Sequence, residues 1–317
     1  MIATATSYGF GTYRVLSGVA LAALPPAGAN SVDECIEVNW CTRTVPAYIE
    51  WHHHWRDGET VVLSLARDGR DYWFRVPDIA DFLVQISPSC RIALSSGSPA
   101  TDAATLEHLL VDQLLPRLLS HRGECMVHAS ALAIEDRHAL FLGPSGWGKS
   151  TLAGLLHRRG HRVLSDDCVQ LGYFNDQLAA IPTYPSLRLN PDSLDALFPE
   201  CPDTSAVADY SIKRRVDLVS TREAGTSVPV AALYLLGHPA DASDAVVITP
   251  LRPAETCMAL IKHSFRFDLA DREATAAQLE RCSHIARDVP AFRLDYPRDF
   301  TRHDELTTAV CKHLGAL

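Results

Sequence analysis

The sequence predicts an α/β protein, a phosphate-loop domain of strands and helices preceded by a small β-rich domain. Three observations predict it. GPSGWGKST at 143–151 satisfies G-x-x-x-x-G-K-[ST]. RHALFLG before it reads as a buried strand, and STLAGLLHRRG after it reads as a helix with an apolar face, closed by Gly160. Residues 1–104 break into short alternating stretches punctuated by turn signals, two of them Asp-Gly.

Strand, glycine loop and helix in that order bring a helix N-terminus and its dipole to a phosphate. Gly143, Gly146 and Gly148 let backbone N–H groups turn inward, which side chains there would block. Ser145, Trp147 and Thr151 complete the loop. Lys149 supplies a mobile charge for β- and γ-phosphates, and the Ser150 hydroxyl suits Mg²⁺. Nucleotide binding is the expected consequence.

In the front part, SYGFGTYRVLSG, ECIEVNW, AYIEWHHHWRDG, TVVLSLARDG, DYWFRVP and CRIALSSG read as strands. TDAATLEHLLVDQLLPRLLSHRG reads as a helix capped by Asp102 or Thr101 and kinked near Pro116. The implied division is a β-rich domain at 1–104, a linker helix at 105–122 and the phosphate-loop domain at 123–317. Within the last, a β-hairpin feeds the loop, followed by a helix at 151–159 and a strand at 161–171. Strand and short helix mix at 178–198, two strands lie in VPVAALYLLG and AVVITPLRP, and three helices follow. The small and charged residues of 203–226 predict a mobile loop.

The chain has 317 residues, 47% of them apolar, and a net charge of −9. An acidic balance without a basic block argues against nucleic acid as a partner. No apolar run approaches the roughly 20 residues of a membrane span. RVLSGVALAALPPAGAN imitates a secretion signal, but it breaks at Pro25-Pro26 and reads better as strand. Nine cysteines without a C-x-x-C pair suit reduced thiols, and with the phosphate loop they suggest the cytoplasm.

Asp166-Asp167 closes HRVLS, seventeen residues beyond Lys149. Carboxylates there suit two tasks, holding Mg²⁺ or accepting a proton from an attacking hydroxyl, and neighbouring residues on a strand could divide them. A solvated turn is the plain alternative. His128 sits in the alternating run MVHASAL, where a lone histidine is more often structural. Arg188 and the cluster Lys213, Arg214 and Arg215 could oppose charge on a transferred phosphoryl group or hold an anionic acceptor, with solvated surface charge an even alternative. WHHHW at 51–55 sends its histidines to opposite faces and lacks further ligands at metal spacing.

HASALAIEDRHALFLGPSGWGKSTLAGLLHRRGHRVLSDDCVQL, residues 128–171, resembles the catalytic core of the HPr kinase/phosphorylase family. The histidine before the hairpin, the phosphate loop, RGH after the helix and the paired aspartates carry the resemblance. It implies a phosphoenolpyruvate-carboxykinase-like core, a mixed sheet with flanking helices. By motif, His128 lies at the phosphotransfer centre, Asp166 is the base and Asp167 lies on the metal side with Ser150. The basic loop that grips the protein substrate in that family has no match here. The front part and the junction QLLPRLLSHRGECMVHASAL are more similar to HPr-kinase-related proteins encoded beside ribosomal peptide products, including kinases of lasso-peptide precursors. The expectation is an ATP- and Mg²⁺-dependent kinase, phosphorylating a serine-type hydroxyl on a peptide or small protein. A homo-oligomer is compatible with it. A nucleotide-gated binding module and a small-molecule kinase are the alternatives.

Overall fold

The computed structural model describes residues 5–28, 34–87, 89–96, 101–200, 202–218, 226–241 and 243–317. Eight strands open the chain: β1 (Thr6–Phe10), β2 (Tyr13–Ser17), β3 (Cys35–Trp40), β4 (His53–Asp57), β5 (Thr60–Asp68), β6 (Asp71–Val76), β7 (Ala80–Gln85) and β8 (Cys90–Ser96). They form one sheet in the order β1-β2-β3-β8-β7-β6-β5-β4. The Asp-Gly turns lie where alternation places them, with Gly58 and Gly69 at positive φ. β4 is shorter than the stretch 47–58 suggests, and β7 is a strand that periodicity did not single out. The segment imitating a secretion signal contains all of β2 but its first residue, and Val15, Val19, Leu21 and Leu24 are buried in the same core.

Then comes one continuous helical segment in three parts: α1 (Ala103–His108), a π-helical turn (Leu109–Leu114) and α2 (Leu115–His121). Asp102 caps it, its carboxylate accepting from Thr105 N at 2.7 Å. The widened turn ends just before Pro116, whose ring and missing N–H would otherwise disrupt the α-helical ladder. The segment expected to link two domains is instead packed into the front sheet. Leu106, Leu109, Leu110, Val111, Leu114, Leu115, Leu118 and Leu119 share a core with Phe10, Ile36, Phe74 and Phe82.

The remainder comprises β9 (Cys125–Val127), β10 (Ala129–Ile134), β11 (Arg137–Leu142), α3 (Lys149–Arg158), β12 (Arg162–Ser165), β13 (Val169–Phe174), β14 (Gln177–Pro182), β15 (Ser186–Leu189) and α4 (Pro191–Leu197). It continues with β16 (Ser205–Ala206), β17 (Arg214–Asp217), β18 (Val228–Pro229), β19 (Ala232–Leu236), β20 (Val247–Pro250), α5 (Pro253–His263), α6 (Arg272–Asp288), β21 (Ala291–Asp295) and α7 (His303–Gly315). A mixed sheet runs β12-β10-β11-β19-β21-β20. Its β11, β19 and β21 are parallel and its outer pairs antiparallel. Alternation decides its two faces: Leu132, Ala139 and Phe141 meet α3 and α7, while Ala131, Leu140 and Leu142 meet α5 and α6.

Among the described residues two smaller antiparallel sheets accompany it, β18-β14-β13-β9 and β15-β17-β16. The strand expected at 161–171 is therefore two strands in two sheets, β12 and β13, with Asp166 and Asp167 at the crossing. Part of the loop expected at 203–226 is ordered too, because β16 and β17 pair with each other and β17 with β15. Residues 219–225 of that loop lie outside those described. Among the described residues no helix is long and apolar enough to cross a membrane, which says nothing about strands.

Candidate active site

Two topological facts place the site. β11, β19 and β21 are parallel, so their C-terminal ends deliver the phosphate loop, Gly237-His238 and Tyr296–Arg298 to one edge of the sheet, the usual position for ligands of open α/β sheets. Beside that edge, two neighbouring segments leave the mixed sheet together. β9 pairs with β13 in one sheet and β10 with β12 in the other. His128 therefore lies at one crossing and Asp166-Asp167 at the other. His128 N–H donates to His263 O at 2.7 Å, outside any strand pair.

The loop has the geometry of a phosphate cradle. Gly146 and Gly148 have φ of 81° and 89°, a left-handed conformation costly for other residues. A Cβ on Gly148 would lie 2.9 Å from Nη1 of Arg298 and 3.1 Å from the Tyr296 hydroxyl. Lys149 opens α3 and is 4% exposed. Its ammonium donates to the carbonyls of Gly143 at 2.8 Å and Pro144 at 3.2 Å. Burial pushes its pKa below the ordinary value, opposed by the charges of Asp167 and Asp166. A buried cation in a loop whose Gly146 and Gly148 take positive φ fits a phosphate chain.

The two aspartates have different surroundings. Asp166 is 0% exposed. Its carboxylate accepts from the Ser130 hydroxyl and from Arg188 N–H. Burial raises its pKa, as does the Asp167 charge, while hydrogen bonds from Ser130 and Ser150 and the Lys149 ammonium oppose the rise. The Asp167 side chain keeps 18% exposure. Its Oδ1 lies 3.1 Å from His128 Nε2 and its Oδ2 3.5 Å from Arg188 Nη1. Burial alone would raise its pKa, but His128, Arg188 and Lys213 outweigh that and hold it well below the carboxylate range. Asp167 also has φ of 67°, rare for a residue with a side chain and frequent at functional sites.

A cleft of about 270 Å³ opens beside the loop. Ser145, Gly146, Gly148, Lys149, Ser150, Thr151, Asp167, Arg188 and Lys213 all line it. Gly143 does not; it is buried beneath the loop and offers its carbonyl to Lys149. Trp147 turns to a neighbouring apolar groove, its ring edge-on to His238. Arg214 is held by Thr204, donating to its hydroxyl at 3.1 Å and its carbonyl at 3.0 Å, and is no part of the cleft. Arg188 reaches the site from below with its guanidinium buried.

No family model matches the chain, and no curated protein sequence does. Among solved structures it is similar to the Hpr(Ser) kinase/phosphatase from Coxiella burnetii, at 16% identity over 59% of this chain and 89% of that one, with a TM-score of 0.33. A TM-score that low does not establish a shared fold.

Sequence reasoning missed the far wall of the cleft. Tyr296, Arg298, Phe300 and His303 line it. Arg298 donates to the carbonyls of Trp147 and Gly237, both at 2.7 Å, pinning the loop to the end of β19. Its guanidinium also lies over the Tyr296 ring, 3.9 Å from the centroid. The available signal was the alternation of AFRLD at 291–295, which marks β21, the strand leading into this wall.

Proposed function

We propose that this protein is a kinase using ATP and Mg²⁺, transferring the γ-phosphoryl group to a serine-type hydroxyl. The observation that carries the reading is a carboxylate, Asp167, open to the cleft that Lys149 and the loop amides line, and oriented by His128 at 3.1 Å. Bound ATP supplies the phosphoryl group, and Mg²⁺ offsets phosphate charge.

In this reading the amides of residues 146–150 and Lys149 hold the phosphates. The fit rests on Gly146 and Gly148 at positive φ and on the buried ammonium, which bonds carbonyls of its own loop. Ser150, which lines the cleft, would hold the metal, and the buried Asp166 would act on it from behind, through Ser150. Asp167 takes the proton from the acceptor hydroxyl, His128 holds its carboxylate in place, and Lys213 opposes charge on the phosphoryl group. This exchanges the roles that the motif resemblance implies for the two aspartates. Accessibility is the reason: Asp166, 0% exposed and already accepting from Ser130 and Arg188 N–H, offers nothing to an incoming hydroxyl.

The acceptor we favour is a serine on a peptide or small protein in the cytosol, such as a lasso-type ribosomal peptide precursor. This choice rests on the resemblance of the sequence alone. The test is incubation of the full chain with γ-labelled ATP, Mg²⁺ and a panel of serine-containing peptides, beside free serine and a no-acceptor control. Label on peptide serine supports the reading. Label in inorganic phosphate alone, whatever the acceptor, overturns it in favour of a nucleotide hydrolase.

A further inference from the structure

The helical segment of the front sheet reaches the candidate site through one residue. Asp112 lies within the π-helical turn and is 6% exposed. Its Oδ2 is 2.9 Å from Nη2 of Arg188 and 2.6 Å from Nδ1 of His108, while Oδ1 accepts from the Tyr184 hydroxyl. Arg188 is 4% exposed. Its other terminal nitrogen donates to the Tyr184 oxygen at 2.7 Å and faces Asp167 at 3.5 Å. One planar guanidinium thus spans two carboxylates, Asp112 in the front unit and Asp167 in the cleft. The first contact is short and the second long.

We propose that Asp112 is a positioning residue for Asp167, acting through Arg188, so that the front unit's helix sets where the reacting carboxylate stands. The physical reason is the rigidity of the guanidinium fork. With Asp112 holding Nη2, Nη1 stays at the longer distance and Asp167 remains shared with His128. Without Asp112, Arg188 is a buried cation whose nearest remaining carboxylate is Asp167, and the attraction draws that group inward, away from the cleft. The π turn places Asp112 on the inner side of a helix whose buried apolar residues are mainly leucine and valine. Arg215 to Glu107 at 3.2 Å and the Asp209 N–H donating to the Thr105 hydroxyl at 2.8 Å tie the same helix to the β15–β17 region, which fixes the frame from which Asp112 reaches.

The inference rests on Asp167 acting on the acceptor, as proposed above. The test is Asp112→Asn in the full chain, read three ways. Steady-state transfer should show kcat lowered about 10- to 100-fold, the scale of a misplaced reacting group, with KM for ATP within about threefold. Combined with Asp167→Asn, it should cost nothing further, because the effect runs through that carboxylate. The ¹⁵N signals of the His128 imidazole should move toward those of Asp167→Asn, a reading that needs no turnover. Wild-type kcat, losses that multiply in the double variant, or an unmoved His128 signal would each overturn the inference. If the wild-type chain transfers no phosphate, the functional proposal fails and the His128 signals alone decide this one. If Asp112→Asn does not fold, Asp112→Asn with Arg188→Gln removes both buried charges. Its His128 signal should stay away from that of Asp167→Asn, because no cation remains to draw Asp167 inward, and a move toward that signal would equally overturn the claim.

Discussion

Nε2 of His128 lies 3.1 Å from Oδ1 of Asp167, across two neighbouring segments that leave one sheet for another at the same place. Neither residue is in a strand, so backbone pairing does not dictate where their side chains point. Asp167 keeps its negative charge because His128, Arg188 and Lys213 surround it.

Asp167→Asn should lower transfer by roughly 10²-fold or more while leaving ATP affinity within about tenfold, since the amide cannot take the hydroxyl proton. Asp166→Asn should instead raise the Mg²⁺ concentration needed for half-maximal activity. Calorimetry of nucleotide binding with phosphopeptide mass spectrometry separates the two. The reverse pattern would restore Asp166 as the base.

Lys149→Ala should weaken ATP binding at least tenfold and remove transfer, because it deletes the cation buried under the loop. Thermal unfolding of the variant should stay close to wild type, as the ammonium bonds carbonyls of its own loop and no carboxylate. Undiminished turnover would mean that this loop is not the one that binds nucleotide.

Gly148→Ala should destabilise the fold by about 1–2 kcal/mol through its left-handed φ. It should also abolish nucleotide binding by driving a methyl group against Arg298 and Tyr296. Adding Arg298→Ala opens the space but frees the carbonyls of Trp147 and Gly237, so affinity should not return. Full recovery of binding in the double variant would show that Arg298 only occupies volume.

His263 links pH to stability. Burial, then the charges of His128 and Lys149, push its pKa down to about 4. An unfolded histidine near 6.5 binds the proton more readily, so the stability from a neutral His263 is present above 6.5 and is lost as pH falls toward 4. The slope for this one proton is at most about 1.4 kcal/mol per pH unit. Urea unfolding of wild type and His263→Gln between pH 7 and 4.5 measures it, and identical slopes would remove His263 as the cause.

Much of the site was legible because a phosphate loop is a local object. Its glycines, lysine and hydroxyl are set within nine residues by backbone sterics and a helix N-terminus, so GPSGWGKST between a strand and a helix is enough to find it. The strands of the front part were legible for the same reason, since Asp-Gly turns and period-two alternation are nearest-neighbour properties. β7 and β21 escaped because their alternation is short and mixed with polar residues.

What the sequence by itself determined was the loop, the helices and most strands, together with the presence of a histidine and two aspartates near that loop. Only the tertiary structure decided which carboxylate is open to the cleft. The division depends on two segments changing sheets side by side and on burial that no local pattern encodes. It also placed Asp112 and Arg188 2.9 Å apart, although 76 positions separate them in the chain, and brought Tyr296 and Arg298 against the loop. Parallel strands gather their C-terminal ends at one edge however far apart they lie in the chain, and a buried cation must find its carboxylate wherever packing delivers one.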